Sequence, residues 1–276
     1  MDEKLQKVLA RAGIGSRREM ERWIEQGRVK VNDQVASIGD RVSDSDKIKV
    51  DNKFITQHRS QVQQRVIAYH KPVGEVCTRD DPEGRTTIFE NLPKLKSGRW
   101  ISIGRLDLNT SGLLLLTTDG ELANKLMHPS SEIEREYAVR ILGEVSPEIL
   151  KELTTNVPLD DGDAHFTDVK AAGGQGANHW YHVTLKEGRN REVRRLWEYF
   201  GFAVSRLMRI RYGNITLERR IRLSKSEDLT EKQMIELYQS VGLNYIVPQA
   251  KKDKSRFKPN QNSNRSVYKG KSNKRK

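Results

Sequence analysis

Gly104-Arg105-Leu106-Asp107-Leu108-Asn109-Thr110-Ser111-Gly112-Leu113-Leu114-Leu115-Leu116 places one carboxylate, Asp107, in a polar turn between two apolar runs. Ile101 and Ile103 precede the turn and Leu113 to Leu116 follow it, so the flanks read as buried strand, with a glycine on each side of the polar atoms. An acid there is either structural or chemical. Asp, Asn and Thr in a turn commonly bond their own backbone, and an Asp beside an Arg commonly forms a salt bridge. The chemical reading is a carboxylate set to act on a substrate.

Outward from this turn, strands and helices interleave. Val66-Ile67-Ala68-Tyr69 reads as a strand, Lys71-Pro72-Val73-Gly74 as a turn, and short β-rich runs recur around Ile101, Leu114, Val139 and Val183. Helical stretches lie between them. Asp119 to His128 opens on an acidic cap and stops at Pro129; Ser146 caps a helix from Pro147 to Leu153; Arg189 to Phe200 ends at Gly201. Hairpin-length spacings between these pieces predict an α+β fold with a largely antiparallel sheet, in a domain spanning 65–247.

The first 51 residues read as a separate helix-helix-strand unit. Leu5, Val8, Leu9 and Ala12 share a helical face; Gly13 and Gly15 end that helix; Ser16-Arg17-Arg18-Glu19 has the form of a capping box, opening a second helix with Met20, Trp23 and Ile24 facing inward. Gly27 closes it. Arg28 to Val31, Val35-Ala36 and Ile48 to Val50 are short strands, with Asn32-Asp33 a turn. Residues 52–64, rich in Gln and Ser, read as a polar linker. The basic residues of the unit form either a phosphate-gripping edge or a solvated charged face.

Length and charge bound the rest. A chain of 276 residues suits two unequal domains with real cores. The formal charge is +13, but residues 248–276 hold 11 Lys or Arg against one acid, Asp253, leaving 39 basic and 36 acidic residues, net +3, for the remainder. The low apolar content of that tail predicts disorder, and its charge suits a polyanion. The single Cys77 excludes an intramolecular disulfide and reads as a small core residue. No run approaches the roughly 20 apolar residues of a membrane span. These features predict a cytoplasmic, reduced protein. No metal-ligand spacing and no Gly-rich phosphate loop is found, so neither a metal nor a nucleotide cofactor is expected.

Glu3 to Gly13, with Ser16-Arg17-Arg18 and Gly27 to Asn32, resembles an S4 domain, a small RNA-binding module. Gly104 to Leu116, Arg135-Glu136-Tyr137 and Glu187 to Leu196 resemble the motifs of the RsuA-type pseudouridine synthases, in order and at the family's spacing. The segments Lys71 to Arg85 and Asn178 to Tyr181 are most similar to the members that act on large-subunit ribosomal RNA. The resemblance implies an enzyme that converts uridine to pseudouridine in RNA. It cuts the N-glycosidic bond, rotates the flipped-out uracil and rejoins it through carbon, with no cofactor.

By the same resemblance Asp107 is the catalytic aspartate, Tyr137 the active-site tyrosine and Arg194 the basic partner of the aspartate. A carboxylate in a dry pocket would be neutralised by burial, and a neighbouring guanidinium opposes that shift. Tyr137 pairs a stacking ring with a hydroxyl that can carry a proton. Whether Asp107 attacks as a nucleophile or removes a sugar proton stays open. Lys4, Lys7, Arg11, Arg17, Arg18 and Arg28 in the S4 unit, and Lys71, Arg105, Arg189, Arg191 and Arg195 in the larger domain, are candidate RNA contacts. Arg189, Arg191, Arg194 and Arg195 are expected on one helix. The expected partner is large-subunit ribosomal RNA, bound by a monomer. The rivals are a non-catalytic S4 protein that binds ribosomal RNA, and a synthase acting on small-subunit or transfer RNA. The first would be favoured by loss of Asp107 or Arg194, and both are present.

Overall fold

The N-terminal module begins with β1 (Glu3–Lys4), α1 (Leu5–Arg11), α2 (Arg17–Glu25), β2 (Val29–Val31), β3 (Gln34–Val35), β4 (Arg41–Val42), β5 (Ile48–Val50) and β6 (Lys53–Ile55). The computed structural model describes residues 2–55 and 63–247 of the chain. Ser16 Oγ accepts from Glu19 N at 3.1 Å and Glu19 Oε2 accepts from Ser16 N at 3.1 Å, so the capping box forms as the spacing predicts. Leu5, Val8 and Leu9 of α1 meet Met20 and Ile24 of α2 over Val29, Ile48 and Val50 of the sheet. α1 starts at Leu5, the first residue of the apolar face, because Glu3 and Lys4 pair with Val42 and Arg41 as a strand, and Ala12 forms its C-cap.

The module also runs past residue 51. Asp51 and Asn52 both take positive φ, 47° and 62°, and turn β5 onto β6, with Ile48 opposite Ile55. A two-residue turn with both centres left-handed matches the twist of a hairpin, and Asn32-Asp33, at φ 50° and 69°, does the same between β2 and β3. The linker assignment of 52–64 therefore starts too early. Its far end is also tied down: Arg65 N donates to Thr118 Oγ1 at 3.0 Å, and Thr118 Oγ1 donates to the Gln63 carbonyl at 2.8 Å. The remaining linker residues, 56–62, and the tail at 248–276 lie outside the described residues.

Glu3 anchors the start of this module. It pairs with Lys7 at 3.0 Å and Arg11 at 2.5 Å. Burial would raise its pKa, but the hydrogen bonds and charges of Arg11 and Lys7 outweigh it and bring the carboxyl from 4.5 to about 2. A depressed folded value means the stabilisation is present above about 4.5 and is lost as pH falls toward about 2. Acid melting followed by circular dichroism is expected to show that loss in the wild type and a flatter profile in Glu3→Gln. Identical profiles would remove Glu3 as the cause.

The larger module contains β7 (Val66–Lys71), β8 (Ile101–Ile103), β9 (Ser111–Thr117), α3 (Gly120–Met127), β10 (Arg135–Leu142), α4 (Pro147–Glu152), β11 (Val157–Leu159), β12 (Gly162–Ala164), β13 (Asp168–Gln175), β14 (Asn178–Leu185), α5 (Glu192–Tyr199), β15 (Val204–Tyr212), β16 (Ile215–Thr216), β17 (Ser226–Asp228) and α6 (Glu231–Gln239). Asp119 and Ser146 cap α3 and α4 with their side chains, as read from the sequence. Nine strands form one sheet in the order β13-β14-β10-β15-β9-β7-β17, with β16 on β15 and β8 on β9. All pairs are antiparallel except β15 with β9. The fold is α+β.

Leu113 to Leu116 form a continuous apolar run because β9 is covered on both faces. Leu114 and Leu116 join a core with Tyr137, Val139, Leu196 and Trp197; Leu113 and Leu115 join the opposite one with Leu122, Leu126, Leu237 and Tyr238. No helix among the described residues is long and apolar enough to cross a membrane.

Gly112 is where β9 meets β15. Its φ is +107°, and a Cβ built there would lie 2.2 Å from the Arg209 carbonyl oxygen and 2.6 Å from its nitrogen. Both obstacles are backbone, so the strands must part to admit even a methyl group. Gly112→Ala is expected to cost ~3 kcal/mol or more, read as a lower urea midpoint. An unchanged midpoint would contradict this account of the strand pair.

Candidate active site

The turn that carries Asp107 joins β8 to β9, and its backbone is held at every residue from 106 to 110. The Leu106 carbonyl accepts from Cys77 Sγ at 3.4 Å; that of Asp107 accepts from Thr110 N at 3.0 Å and Lys71 Nζ at 3.1 Å. The Leu108 carbonyl accepts from Gly74 N at 2.9 Å, Asn109 from Arg194 Nη2 at 2.9 Å, and Thr110 from Lys71 Nζ at 2.9 Å. Leu106 anchors the turn in the core at 7% exposure. The Asp107 carboxylate is different: it is half-buried and makes no hydrogen bond or ion pair with a described residue. The backbone is fixed on all sides while the side chain is left for something else.

Lys71 is wholly buried, with its ammonium shared among the carbonyls of Pro72, Asp107 and Thr110. Burial lowers its pKa, and the neighbouring Cys77, Glu75 and Asp107 oppose that shift. It cannot reach RNA, so the assignment of Lys71 as a phosphate contact is wrong. A cation that far from water is tolerated because three carbonyl dipoles replace its hydration. The neighbouring turn is braced in turn by Glu75, which is buried and accepts from Tyr69 Oη at 2.6 Å, Asn91 Nδ2 at 2.9 Å and Ser224 Oγ at 3.3 Å. Burial and then the Glu75 carboxylate push the Tyr69 hydroxyl pKa up, so it stays a donor.

Tyr137 reaches the same region through strand register. Gly112 of β9 lies beside Arg209 of β15, and Arg209 lies opposite Tyr137 of β10, so the three residues form a row one position past the start of β9. Tyr137 is 8% exposed and packs in the core that holds Leu106. Its hydroxyl makes no hydrogen bond with a described residue.

Arg194 projects from α5 and is 7% exposed; Nη1 donates to the Val204 carbonyl at 2.9 Å and Nη2 to that of Asn109. Burial and then the charge of Arg191 lower its pKa, while Asp107 and Glu198 raise it. Arg194 and Asp107 are thus electrostatic neighbours, linked through the backbone of Asn109. They form no ion pair within 4.0 Å, as a direct partnership would require.

The other basic candidates divide sharply. Arg189 and Arg191 are not on the helix: Arg189 N donates to the Glu192 carboxylate at 2.9 Å and Arg191 takes φ +49°, so α5 starts only at Glu192. Arg189 is bonded to Glu187 and to the carbonyls of Gly162 and Asp163, Arg195 holds Asp161 through two bonds of 2.8 and 2.9 Å, and Arg191 pairs with Glu198 at 3.2 Å. Arg28 holds Asp51 and stacks 3.9 Å over the Trp23 ring. Lys7 and Arg11 hold Glu3. Lys4, Arg17, Arg18 and Arg105 are exposed and make no hydrogen bond or ion pair with a described residue.

The sequence reading also missed Arg209. It is 2% exposed, donates from Nε to the Leu113 carbonyl at 2.8 Å, and keeps a buried Nη2 without a hydrogen-bond partner among the described residues. The available signal was the alternation of β15, where Arg209 is in phase with buried Leu207.

The family model described as RNA pseudouridylate synthase matches residues 65–199, and the S4 domain model matches residues 3–48. Ribosomal large subunit pseudouridine synthase B of Escherichia coli (strain K12) is 53% identical over 270 residues, covering 95% of this chain and 92% of the relative. The chain belongs to the RNA pseudouridylate synthase family. The protein of the same name from Pseudomonas aeruginosa is 54% identical over 258 residues, covering 93% of this chain and 67% of the relative. A solved pseudouridylate synthase superposes with a TM-score of 0.60 at 26% identity, covering 85% of this chain and 99% of that structure. The residues matched as pseudouridylate synthase include Asp107, Tyr137 and Arg194.

Proposed function

We propose that this pseudouridine synthase isomerises uridine in large-subunit ribosomal RNA, with Asp107 as the catalytic carboxylate. The observation that carries the reading is the contrast at the turn: five consecutive carbonyls are tied down, while the one carboxylate has no hydrogen-bond or ion-pair partner among the described residues. A structural aspartate would spend its oxygens on the turn. This one keeps them for a substrate, on a backbone that cannot drift, which is the preorganisation that positioning a reacting group requires.

The reaction breaks the bond between uracil nitrogen and ribose, and makes one between uracil carbon and the same ribose carbon. The proton lost by that uracil carbon is matched by one taken up on the freed uracil nitrogen, so nothing is gained or lost overall. Asp107 serves the glycosidic step as a carboxylate beside the ribose, whether by attack or by proton removal. Arg194 supplies positive potential from behind the turn and fixes Asn109. Tyr137 stacks on the extruded base, and its hydroxyl handles the proton. Of the candidate cations, Lys4, Arg17, Arg18 and Arg105 have no side-chain partner among the described residues and are left to meet phosphates. The relatives named for the large ribosomal subunit support that substrate class. The reading carries with it a cytoplasmic, monomeric enzyme.

The test is to incubate the purified protein with transcripts of large-subunit RNA, small-subunit RNA and transfer RNA and to map pseudouridine in each. Modification confined to one position or a few in the large-subunit transcript is expected. Modification only of the others would overturn the substrate, and none at all would overturn the activity.

A further inference from the structure

The segment Leu92-Pro93-Lys94-Leu95-Lys96-Ser97-Gly98-Arg99-Trp100 carries three cations and no acid. It meets the N-terminal module backbone to backbone. Gly13 takes φ +87°, and a Cβ there would lie 2.8 Å from the Gly98 carbonyl oxygen. Beside this contact half-buried Arg99 and exposed Arg17, the first residue of α2, line one groove between the modules.

Neither guanidinium makes a hydrogen bond or ion pair with a described residue. Of the carboxylates nearby, Glu3 is paired with Lys7 and Arg11, whereas Glu19 and Asp119 accept from neutral donors, Ser16 N for the first and the first turn of α3, Gln64 and Tyr238 for the second, and keep their charge, as does Glu121 on the exposed rim. None of them is ion-paired with Arg17 or Arg99. Burial and then the charge of Arg17 lower the Arg99 pKa, with Glu19 opposing. On the other side, Arg79 donates to the Trp100 carbonyl and stacks 4.0 Å from the Phe89 ring centre. Burial and then the charge of Arg99 lower its pKa too. The chain outside the described residues offers little to neutralise the row: 56–62 contains no carboxylate, and 248–276 contains one, Asp253, among 11 cations.

Like charges gathered on both sides of a joint are unfavourable unless an anion enters between them. A row of guanidiniums, each presenting several donors, suits successive phosphates better than a single small anion. We propose that Arg17, Arg99 and Arg79 form a phosphate-binding track across the joint, which holds the backbone of the RNA as it passes from the S4 domain to the catalytic domain. The track rests on the RNA reading above, and adds two residues, Arg79 and Arg99, that are not among the candidate RNA contacts of the sequence.

The experiment uses the full chain and an RNA stem-loop of arbitrary sequence, so that it does not depend on the modified uridine. Arg17→Gln and Arg99→Gln, alone and together, are compared with wild type and with Lys232→Gln on the exposed face of α6. Affinity across a salt series is expected to fall three- to tenfold for each single variant near 0.1 M salt, and the salt slope to flatten by ~0.7 to ~0.9 per lost contact. Lys232→Gln should match wild type. Melting of the RNA-free protein gives the second readout: removing a repelling charge should leave Arg99→Gln as stable as wild type or more so. Unchanged slopes overturn the track, as does failure of the wild type to bind the stem-loop. A lower melting temperature with an unchanged slope assigns Arg99 a structural role and equally overturns it. Flattened slopes from a protein that forms no pseudouridine would sustain the track and refute the activity, so the two failures are told apart.

Discussion

Asp107→Asn is expected to abolish pseudouridine formation, by at least ~10⁴-fold in turnover, while RNA affinity stays within about threefold and the melting temperature barely moves. The reason is the division of labour at the turn. The hydrogen bonds that hold residues 106 to 110 run to their backbone carbonyls, Leu106 adds its packing in the core, and none of this uses the Asp107 carboxylate. The amide keeps the size of the side chain and loses only its charge and basicity. Turnover would be measured as pseudouridine formed per enzyme under single-turnover conditions. A variant that retained even a tenth of the wild-type rate would remove Asp107 from the chemistry, and one that failed to fold would show the carboxylate to be structural.

Lys71→Met should be damaging in a different way. The thioether matches the length of the stem but leaves the carbonyls of Pro72 and Thr110 without this donor, inside a site that excludes water. Asp107's carbonyl keeps only Thr110 N. Removing a buried charge offsets part of that loss, so a net destabilisation of ~2 to ~4 kcal/mol is expected rather than the full cost of three bonds. The turn would then sample positions that misplace Asp107. The rate should fall ~100-fold with little change in KM, the signature of a residue that positions the carboxylate and does not touch RNA. A fall in affinity and salt slope with an unchanged rate would instead restore Lys71 as a phosphate contact.

What could be read from the sequence was local. Ser16, Asp119 and Ser146 announce helix starts because a cap is a bond between residues two or three apart, and each of these caps forms. The apolar run at 113 to 116 declared itself as buried strand for the same reason. Asp51-Asn52 carries turn chemistry as plain as that of Asn32-Asp33 and pairs Lys53–Ile55 locally with β5, but the Gln- and Ser-rich residues that follow from 56 drew the short strand into the polar linker. Charge misled in a consistent direction. Lys71 looked exposed because lysine usually is; only the fold shows three carbonyls converging on it. Arg189 and Arg195 looked like phosphate ligands until their partners Glu187 and Asp161 appeared beside them. Arg99 failed in the opposite sense, since its significance comes from Arg17, far away in sequence and adjacent only after the modules meet.

Asp107, Tyr137 and Arg194 were placed by resemblance, and the fold gives each a physical setting that no spacing could supply. Asp107 lies on a braced turn, and Tyr137 on a row of paired strands. Arg194 sits behind the turn, where it grips the Asn109 carbonyl and leaves the carboxylate free. That last difference matters for mechanism. A direct ion pair would have to be broken or shared when substrate arrives, whereas a charge held on the Asn109 carbonyl, two residues along, leaves both carboxylate oxygens unoccupied.

The most direct test is a pseudouridine map of ribosomal RNA from cells lacking this gene, compared with the same cells supplied with the wild-type or the Asp107→Asn protein. The account predicts that one or a few large-subunit pseudouridines vanish in the deletion, return with the wild type and stay absent with Asp107→Asn. Unchanged large-subunit maps across all the strains, or full restoration by Asp107→Asn, would contradict it.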